Sequence, residues 1–141
     1  MNPVNQEFMH LPEEGQQGDC HRAVIASLLE IPISEVPHFA QDSQGDVDKY
    51  WTMIQDFLGN RGYAYLTMPA DGGAMFFGDH PGVYHEISGP DPRGGSMMHA
   101  VIGKDGEVVF DPHPSRAGLS GDTSDWEYGF IVLADPHHSR K

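Results

Sequence analysis

The chain has 141 residues, a formal charge of −13 at pH 7 and one cysteine. This length suits a single folded domain over residues 1–141. So acidic a surface argues against nucleic acid and anionic membranes as partners. One cysteine excludes a disulfide within the chain and a Cys-rich zinc site. No signal peptide and no membrane-length apolar run is found, so we expect a cytoplasmic protein whose thiol stays reduced.

Two helices are predicted in the first half of the chain. The first covers residues 19–31, because Asp19 is a good N-cap, an apolar stretch follows it, and Pro32 ends it. The second covers about residues 46–60, where apolar side chains recur at spacings of three and four. Irregular structure is predicted at residues 1–18 and at a loop over 40–46, and a single tight helical turn is predicted at residues 34–36.

The second half of the chain is rich in strand patterns. Strands are predicted at residues 63–68, 83–88, 97–102, 107–111 and 128–133. A long loop over 69–82 and a turn-rich segment over 88–95 separate them, and a polar tail begins at Asp135. Because the helices precede the strands, the sequence favours an α+β fold with a mostly antiparallel sheet.

One predicted hairpin brings a histidine to a carboxylate. Lys104-Asp105-Gly106 fits a three-residue loop with Gly106 in the left-handed position. Counting from that loop places His99 directly opposite Asp111 on one face of the sheet. A carboxylate at that position fixes the tautomer of the imidazole and favours its charged form. A two-residue loop would instead put the two side chains on opposite faces.

The lone thiol, Cys20, falls in the first turn of the predicted first helix. A helix N-terminus stabilises an anion, which favours the thiolate. The glycine-rich segment 15–18 before it would let a substrate approach closely. A nucleophilic cysteine needs a base and a group that orients the base, and His99 and Asp111 could supply both. The alternative is that Cys20 is a small buried hydrophobic residue.

Two further residues are predicted to bind substrate. His85 alternates with Tyr84 on a predicted strand and could line a cleft. Arg93 lies in the turn-rich segment that leads into the His99 strand, so we expect it to bind a substrate carboxylate or carbonyl at the rim. Its alternative role is a structural salt bridge to a nearby acid such as Asp91.

Other histidines have weaker predicted roles. A metal site built from His99, Asp111 and His113, with or without His85, is possible in principle, but no compact metal-binding spacing supports it, and no cofactor or metal is expected. His38 is interpreted as a packed structural residue, and His21 as a residue on another side of the helix from Cys20. Exposed loop or tail positions are predicted for His10, His80, His137 and His138.

Three short segments together resemble a known family. They are Gly18-Asp19-Cys20 at a helix start, His99-Ala100-Val101-Ile102 on a strand, and Val109-Phe110-Asp111-Pro112 on the next. This order resembles papain-like cysteine peptidases, and within them the bacteriocin-leader-processing peptidase domains of exporters. The resemblance implies a papain-like α+β fold in which a helix carrying the cysteine packs on a sheet carrying the histidine and aspartate. It also implies that Cys20 is the nucleophile, His99 the general base and Asp111 the orienting carboxylate.

Two further likenesses concern the oxyanion hole and the source. The Gly18-Asp19-Cys20 segment with Arg22-Ala23 beyond it is similar to the cysteine motif of ovarian-tumour-type deubiquitinases. That similarity implies that Gln17, three positions before the cysteine, stabilises the oxyanion together with the Cys20 N–H; Gln16 is the alternative. The chain also resembles uncharacterised small proteins of tailed phages and their bacterial hosts, a likeness that implies no activity.

The function expected from these residues is that of a cysteine hydrolase. Its substrate would be a peptide or an acyl conjugate, of host or phage origin, cleaved at an amide, isopeptide or thioester bond. An acyltransferase with the same triad differs only in the second acceptor. A non-catalytic binding or inhibitor protein on the same fold is the main rival, favoured by the charge of −13 and the short chain. A metal hydrolase is a third reading.

Overall fold

The computed structural model describes residues 1–73, 77–78, 82–94 and 97–135. Within these residues it contains three α-helices, α1 (Cys20–Leu29), α2 (Phe39–Asp42) and α3 (Val47–Gly59). Its five strands are β1 (Tyr63–Pro69), β2 (Tyr84–Pro90), β3 (Met98–Lys104), β4 (Glu107–Phe110) and β5 (Glu127–Leu133). The predicted positions of His80, His137 and His138, and most of the polar tail, lie outside the described residues.

Helix α1 begins where the sequence places it but ends early. Its first residue follows Asp19, which occupies the N-cap position without a side-chain capping bond. The helix ends at Leu29 instead of residue 31, because Glu30 adopts a left-handed conformation with φ 57°. The N–H of Glu30 then bonds the carbonyls of Ala26 and Ser27, which closes the last turn.

The other helices differ from prediction in one respect. Helix α3 confirms the second predicted helix, and the Asp46 carboxylate accepts the Lys49 N–H at 3.0 Å as its cap. The predicted loop over 40–46 is wrong, because α2 occupies part of it. Its formation is explained by the His38 ring, whose Nδ1 accepts the Gln41 N–H at 3.2 Å and so caps a short helix.

The five strands form one antiparallel sheet in the order β1-β5-β2-β3-β4. The predicted α+β class with an antiparallel sheet is therefore confirmed. The last strand in sequence, β5, lies between β1 and β2, with Tyr65 opposite Ile131 on one side and Glu86 opposite Gly129 on the other. Helix α1 packs on this sheet through Val24, which contacts Ala100 and Ile102 of β3.

The predicted hairpin register between β3 and β4 is wrong. Lys104 pairs with Glu107, so the loop has two residues, and both of them, Asp105 and Gly106, have positive φ. That register alone would separate His99 and Asp111 onto opposite faces. However, a bulge follows, and Ile102 pairs with Phe110. The extra residue shifts the pairing beyond it by one position. The odd-numbered residues of the two strands, His99 and Asp111 among them, therefore lie on the same face of the sheet.

The N-terminal segment is irregular, as predicted, but it is held firmly to the rest of the molecule. Its Asn2 N–H bonds the Ser27 carbonyl at 3.0 Å, and its Gln6 N–H bonds the Pro112 carbonyl at 3.0 Å. The Phe8 N–H donates to Asp19 Oδ1 at 2.8 Å. The segment therefore ties α1 to the loop after β4.

Among the described residues no single helix is long and apolar enough to cross a membrane. The bent pair Cys20–Leu29 and Ile33–Asp42 reaches that length and composition only when its two parts are taken together.

Candidate active site

His99 and Asp111 form a buried hydrogen-bonded pair. His99 Nε2 donates to Asp111 Oδ1 at 2.7 Å, and each residue is only 4% exposed. The carboxylate also accepts two backbone N–H groups, from His113 at 2.9 Å and from Gly118 at 2.7 Å. These bonds fix Asp111 just beyond the end of β4. The sequence thus paired the right residues, although the hairpin register it used to do so is wrong.

The charges of this pair reinforce one another. Burial by itself lowers the pKa of His99, but hydrogen bonds to Asp111 and to the Cys20 side chain outweigh it and raise that pKa to about 9. Burial likewise acts to raise the pKa of Asp111, yet the His99 bond and the two backbone N–H groups bring it below its ordinary value. The ionised forms, an imidazolium and a carboxylate, are therefore favoured together.

Cys20 completes the cluster at the first position of α1, where it is half-buried and unpaired with any other cysteine. Its side chain contributes to the raised pKa of the His99 ring, and both residues line one cavity. Because Nε2 of that ring faces Asp111, Nδ1 is the nitrogen left for the thiol. The structure therefore brings together all three residues that the sequence predicted as a triad, on α1, on β3 and just after β4.

A cavity of about 400 Å³ opens over the thiol. Cys20, His99, Gln17 and Arg93 all line it. Gln17 is held there through its backbone, because its N–H donates to Gln41 Oε1 at 2.9 Å and its carbonyl contacts His38 Nε2 at 3.1 Å. Short helix α2 therefore shapes the loop before the cysteine.

The two candidate oxyanion glutamines have different surroundings. Gln17 lines the cavity, whereas Gln16 is not among the lining residues and donates from Nε2 to the Met9 carbonyl at 2.7 Å. That bond fixes the N-terminal loop and occupies the amide. The geometry thus favours Gln17 over Gln16 for contact with a bound molecule.

Arg93 both lines the cavity and makes the salt bridge that was its alternative role. Its Nε lies 3.1 Å from Asp91 Oδ1, and its Nη1 donates to Ser115 Oγ at 2.9 Å. The guanidinium is therefore held in place at the rim, about one third exposed. The two predicted roles are compatible, because a fixed arginine can still present its remaining N–H groups to a ligand.

The prediction that His85 lines the cleft is wrong. His85 is fully buried among Phe77, Tyr128 and Phe130, and it is not among the cavity-lining residues. His85 pairs with Gly103 at the end of β2 that lies beside the β3–β4 hairpin loop, whereas His99 pairs with Gly89 at the opposite end of β2. Four residues of strand, about 13 Å, separate these two positions.

The His85 ring has a structural role of its own. Its Nε2 accepts the Gly106 N–H at 3.0 Å, and its Nδ1 contacts the Glu86 carbonyl at 2.9 Å. Burial lowers its pKa, which keeps the ring neutral. Among the described residues, no group of three or more His, Cys, Asp or Glu side chains is arranged to hold a metal ion.

A second polar cluster, which the sequence analysis missed, lies beside Cys20. Glu86 is 2% exposed, and one of its carboxylate oxygens accepts the hydroxyl of Tyr65 while the other lies 3.0 Å from His21 Nδ1. The His21 ring also contacts Tyr50 and Trp51. A glutamate inside a predicted strand was the signal available. Only the fold shows its partners, which come from α1 and β1.

This cluster depends on a glycine in β5. A Cβ on Gly129 would meet the Tyr65 hydroxyl and would lie 2.9 Å from Glu86 Oε1. We therefore expect Gly129→Ala to lower the free energy of unfolding by about 2 kcal/mol, measured by urea denaturation. As a matched control, Gly59→Ala at the end of α3 meets nothing within 4 Å and should raise it by about 0.5 kcal/mol. Equal stabilities of the two variants would contradict the tight packing of this cluster.

Comparisons with known proteins assign no family. A scan against protein-family models found no match, and neither a search of curated proteins nor a search of solved structures found one. The class defined by fold and site is thus an α+β protein with a Cys-His-Asp cluster in a cavity.

Proposed function

We propose that this protein is a cysteine hydrolase of papain-like fold that cleaves an amide, isopeptide or thioester bond. The observation that carries the proposal is the 2.7 Å bond from His99 Nε2 to Asp111 Oδ1, together with a cavity that both Cys20 and His99 line. A helix bearing the cysteine, packed on a sheet that bears the histidine, supports the papain-like arrangement. The cytoplasm, where a thiol stays reduced, is the proposed location.

The first half of the reaction forms an acyl-enzyme. The Cys20 thiolate attacks the substrate carbonyl, and the carbonyl π electrons move onto its oxygen. The Cys20 N–H, unsatisfied at the start of α1, and the Gln17 side chain stabilise that oxyanion. As the tetrahedral intermediate collapses, the bond to the leaving group breaks and the His99 imidazolium gives it a proton. A thioester on Cys20 remains.

The second half releases the acyl group. His99, now neutral, takes a proton from water, and the resulting hydroxide attacks the thioester carbonyl. The thiolate leaves and the imidazolium is regenerated, so the enzyme returns to its starting ionic state. Asp111 stays ionised throughout and holds the ring by its Nε2–H, which keeps Nδ1 directed at the reacting atoms. A peptide or acyl conjugate, of host or phage origin, is the proposed substrate class.

Covalent trapping tests this function without a known substrate. We expect a panel of peptidyl and ubiquitin-type electrophiles, such as vinyl sulfones and acyloxymethyl ketones, to modify Cys20 in a saturable manner, as read by intact-protein mass spectrometry. Cys20→Ala should abolish the adduct. A thiol that reacts with all of these reagents no faster than free cysteine would refute the hydrolase and favour the rival binding protein.

A further inference from the structure

Beside the catalytic histidine, the cavity wall contains a pair of nitrogen donors that the proposed mechanism does not use. They belong to Arg93 and His113, and both residues line the cavity with Cys20 and His99. The rings of His113 and His99 meet edge to face, with centroids 6.2 Å apart. Because His99 protonates the leaving group, these donors lie on the leaving-group side of the scissile bond.

His113 is held so that its outer nitrogen carries the proton. The Ser115 N–H donates to His113 Nδ1 at 3.0 Å, which makes Nδ1 an acceptor. Burial and the nearby Arg93 charge lower the pKa of this ring, so it stays neutral with its hydrogen on Nε2. No described residue accepts a hydrogen bond from that nitrogen. One N–H donor of this cavity-lining residue is therefore unused.

Arg93 has unused donors as well. Of its five side-chain N–H groups, one on Nε and one on Nη2 face Asp91, at 3.1 and 3.3 Å, and one on Nη1 faces Ser115. One N–H on each terminal nitrogen remains. Ser115 thus orients both donor residues at once, through its hydroxyl to Arg93 and its backbone N–H to His113.

The carboxylates along the cavity are already engaged. Among the described residues its carboxylates are Asp19 and Asp91. Asp19 accepts two backbone N–H groups and contacts Arg22, and Asp91 is paired with Arg93. A chain with 21 acidic residues thus leaves this wall with free donors and no free carboxylate. Such a wall is complementary to an acceptor-rich, anionic group.

We propose that Arg93 and His113 form a subsite for a carboxylate on the leaving group of the substrate. The substrate is then a peptide or conjugate whose departing part ends in a carboxylate, or carries an aspartate or glutamate side chain, next to the scissile bond. This inference rests on the proposed hydrolase function, since it needs Cys20 to react with the bound molecule.

Three bromoacetyl reagents test the subsite. Bromoacetyl-glycine ends in a carboxylate, bromoacetyl-glycinamide is its neutral match, and the α-amide of bromoacetyl-aspartic acid carries the charge on its side-chain carboxylate. The measurement is the second-order rate constant for alkylation of Cys20 at pH 7 and low salt, by intact-protein mass spectrometry and peptide mapping. We compare variants by the rate constant for an anionic reagent divided by the rate constant for the neutral reagent. A change in the reactivity of the thiol itself affects both rate constants equally and leaves this ratio unchanged.

We expect that ratio to fall about fivefold in Arg93→Gln and also in His113→Phe. Arg61→Gln is the matched control, because it removes the same charge from a half-buried arginine near Glu35, outside the cavity, and should leave the ratio unchanged. A fall with bromoacetyl-glycine alone assigns the subsite to a terminal carboxylate, and a fall with the aspartate reagent alone to a side chain.

Two results would overturn the subsite. One is an unchanged ratio in both cavity variants, and the other is an equal fall in Arg61→Gln, which would indicate only the net charge of the protein. Failure of the hydrolase function is a separate result: the neutral reagent would then label Cys20 no faster than it labels free cysteine.

Discussion

Replacing His99 by alanine is expected to slow the alkylation of Cys20 by iodoacetamide about thirtyfold at pH 7. Iodoacetamide reacts with the thiolate, and a free thiol is only a few per cent ionised at this pH. In the intact protein the His99 imidazolium, whose pKa is raised to about 9, lines the same cavity as Cys20. Without that cation in the cavity, Cys20 should react at the rate of an ordinary cysteine.

The matched control for this experiment is His10→Ala. His10 also lines the cavity, but it belongs to the N-terminal segment and not to the His99–Asp111 pair. Its replacement should change the rate by less than twofold. If His99→Ala reacted as fast as the unmodified protein, the coupling between His99 and Cys20 would be refuted.

Asp111→Asn is expected to lower the free energy of unfolding by about 3 kcal/mol near pH 6. The substitution removes the charge from a buried pair and leaves an amide facing donors from His99, His113 and Gly118. Urea denaturation of the variant and of the unmodified protein, at several pH values, measures the loss.

The pH dependence of this loss has a definite sign. The pKa of Asp111 is lowered, so its stabilisation is present above the unfolded value of about 3.9 and is lost below it. The pKa of His99 is raised, so its stabilisation is present below about 6.5 and is lost as the pH rises through about 9. The stability gap between the two proteins should therefore be widest from about pH 4 to pH 6.5.

Asp105→Asn provides the control for the alkaline side. Asp105 accepts the N–H groups of Gly82 and Val83, and these bonds lower its pKa. No imidazolium is paired with it, because burial keeps the nearby His85 neutral. Its stability gap should stay constant between pH 6 and pH 10, while that of Asp111→Asn narrows. A gap for Asp111→Asn that stayed constant over this range would contradict a charged His99–Asp111 pair.

Local patterns in the sequence were sufficient for α1 and α3, though not for α2, and for the three residues Cys20, His99 and Asp111. The start of α1 was predicted from Asp19 before an apolar helix-forming stretch, although the Asp19 side chain makes no capping bond, and α3 was predicted from a periodic apolar face. The proximity of His99 and Asp111 was also predicted, since both lie near the ends of adjacent strands. The predicted register was wrong, however. The two-residue turn alone would put the two side chains on opposite faces of the sheet, and the bulge brings them back to the same face.

What the sequence could not determine depends on contacts between distant segments. Alternation along β2 does not say which end of the strand faces the cavity, so His85 was misplaced. Likewise, nothing local predicts that β5 inserts between β1 and β2, and that insertion is what sets Gly129 against Tyr65 and Glu86.

The sequence by itself therefore predicted the fold class, the helix that presents Cys20, and the pairing of His99 with Asp111, because apolar periodicity and the closeness of adjacent strands act over a few residues. The bulge that puts this pair on one face of the sheet is visible only in the structure. The tertiary structure decided which other side chains reach the cavity. Arg93 and His113, both oriented by Ser115, line the cavity with His99. His85, in contrast, is buried in the core. Packing across the sheet and around the loops brings residues that are far apart in the chain into contact. Such contacts cannot be predicted from local sequence patterns.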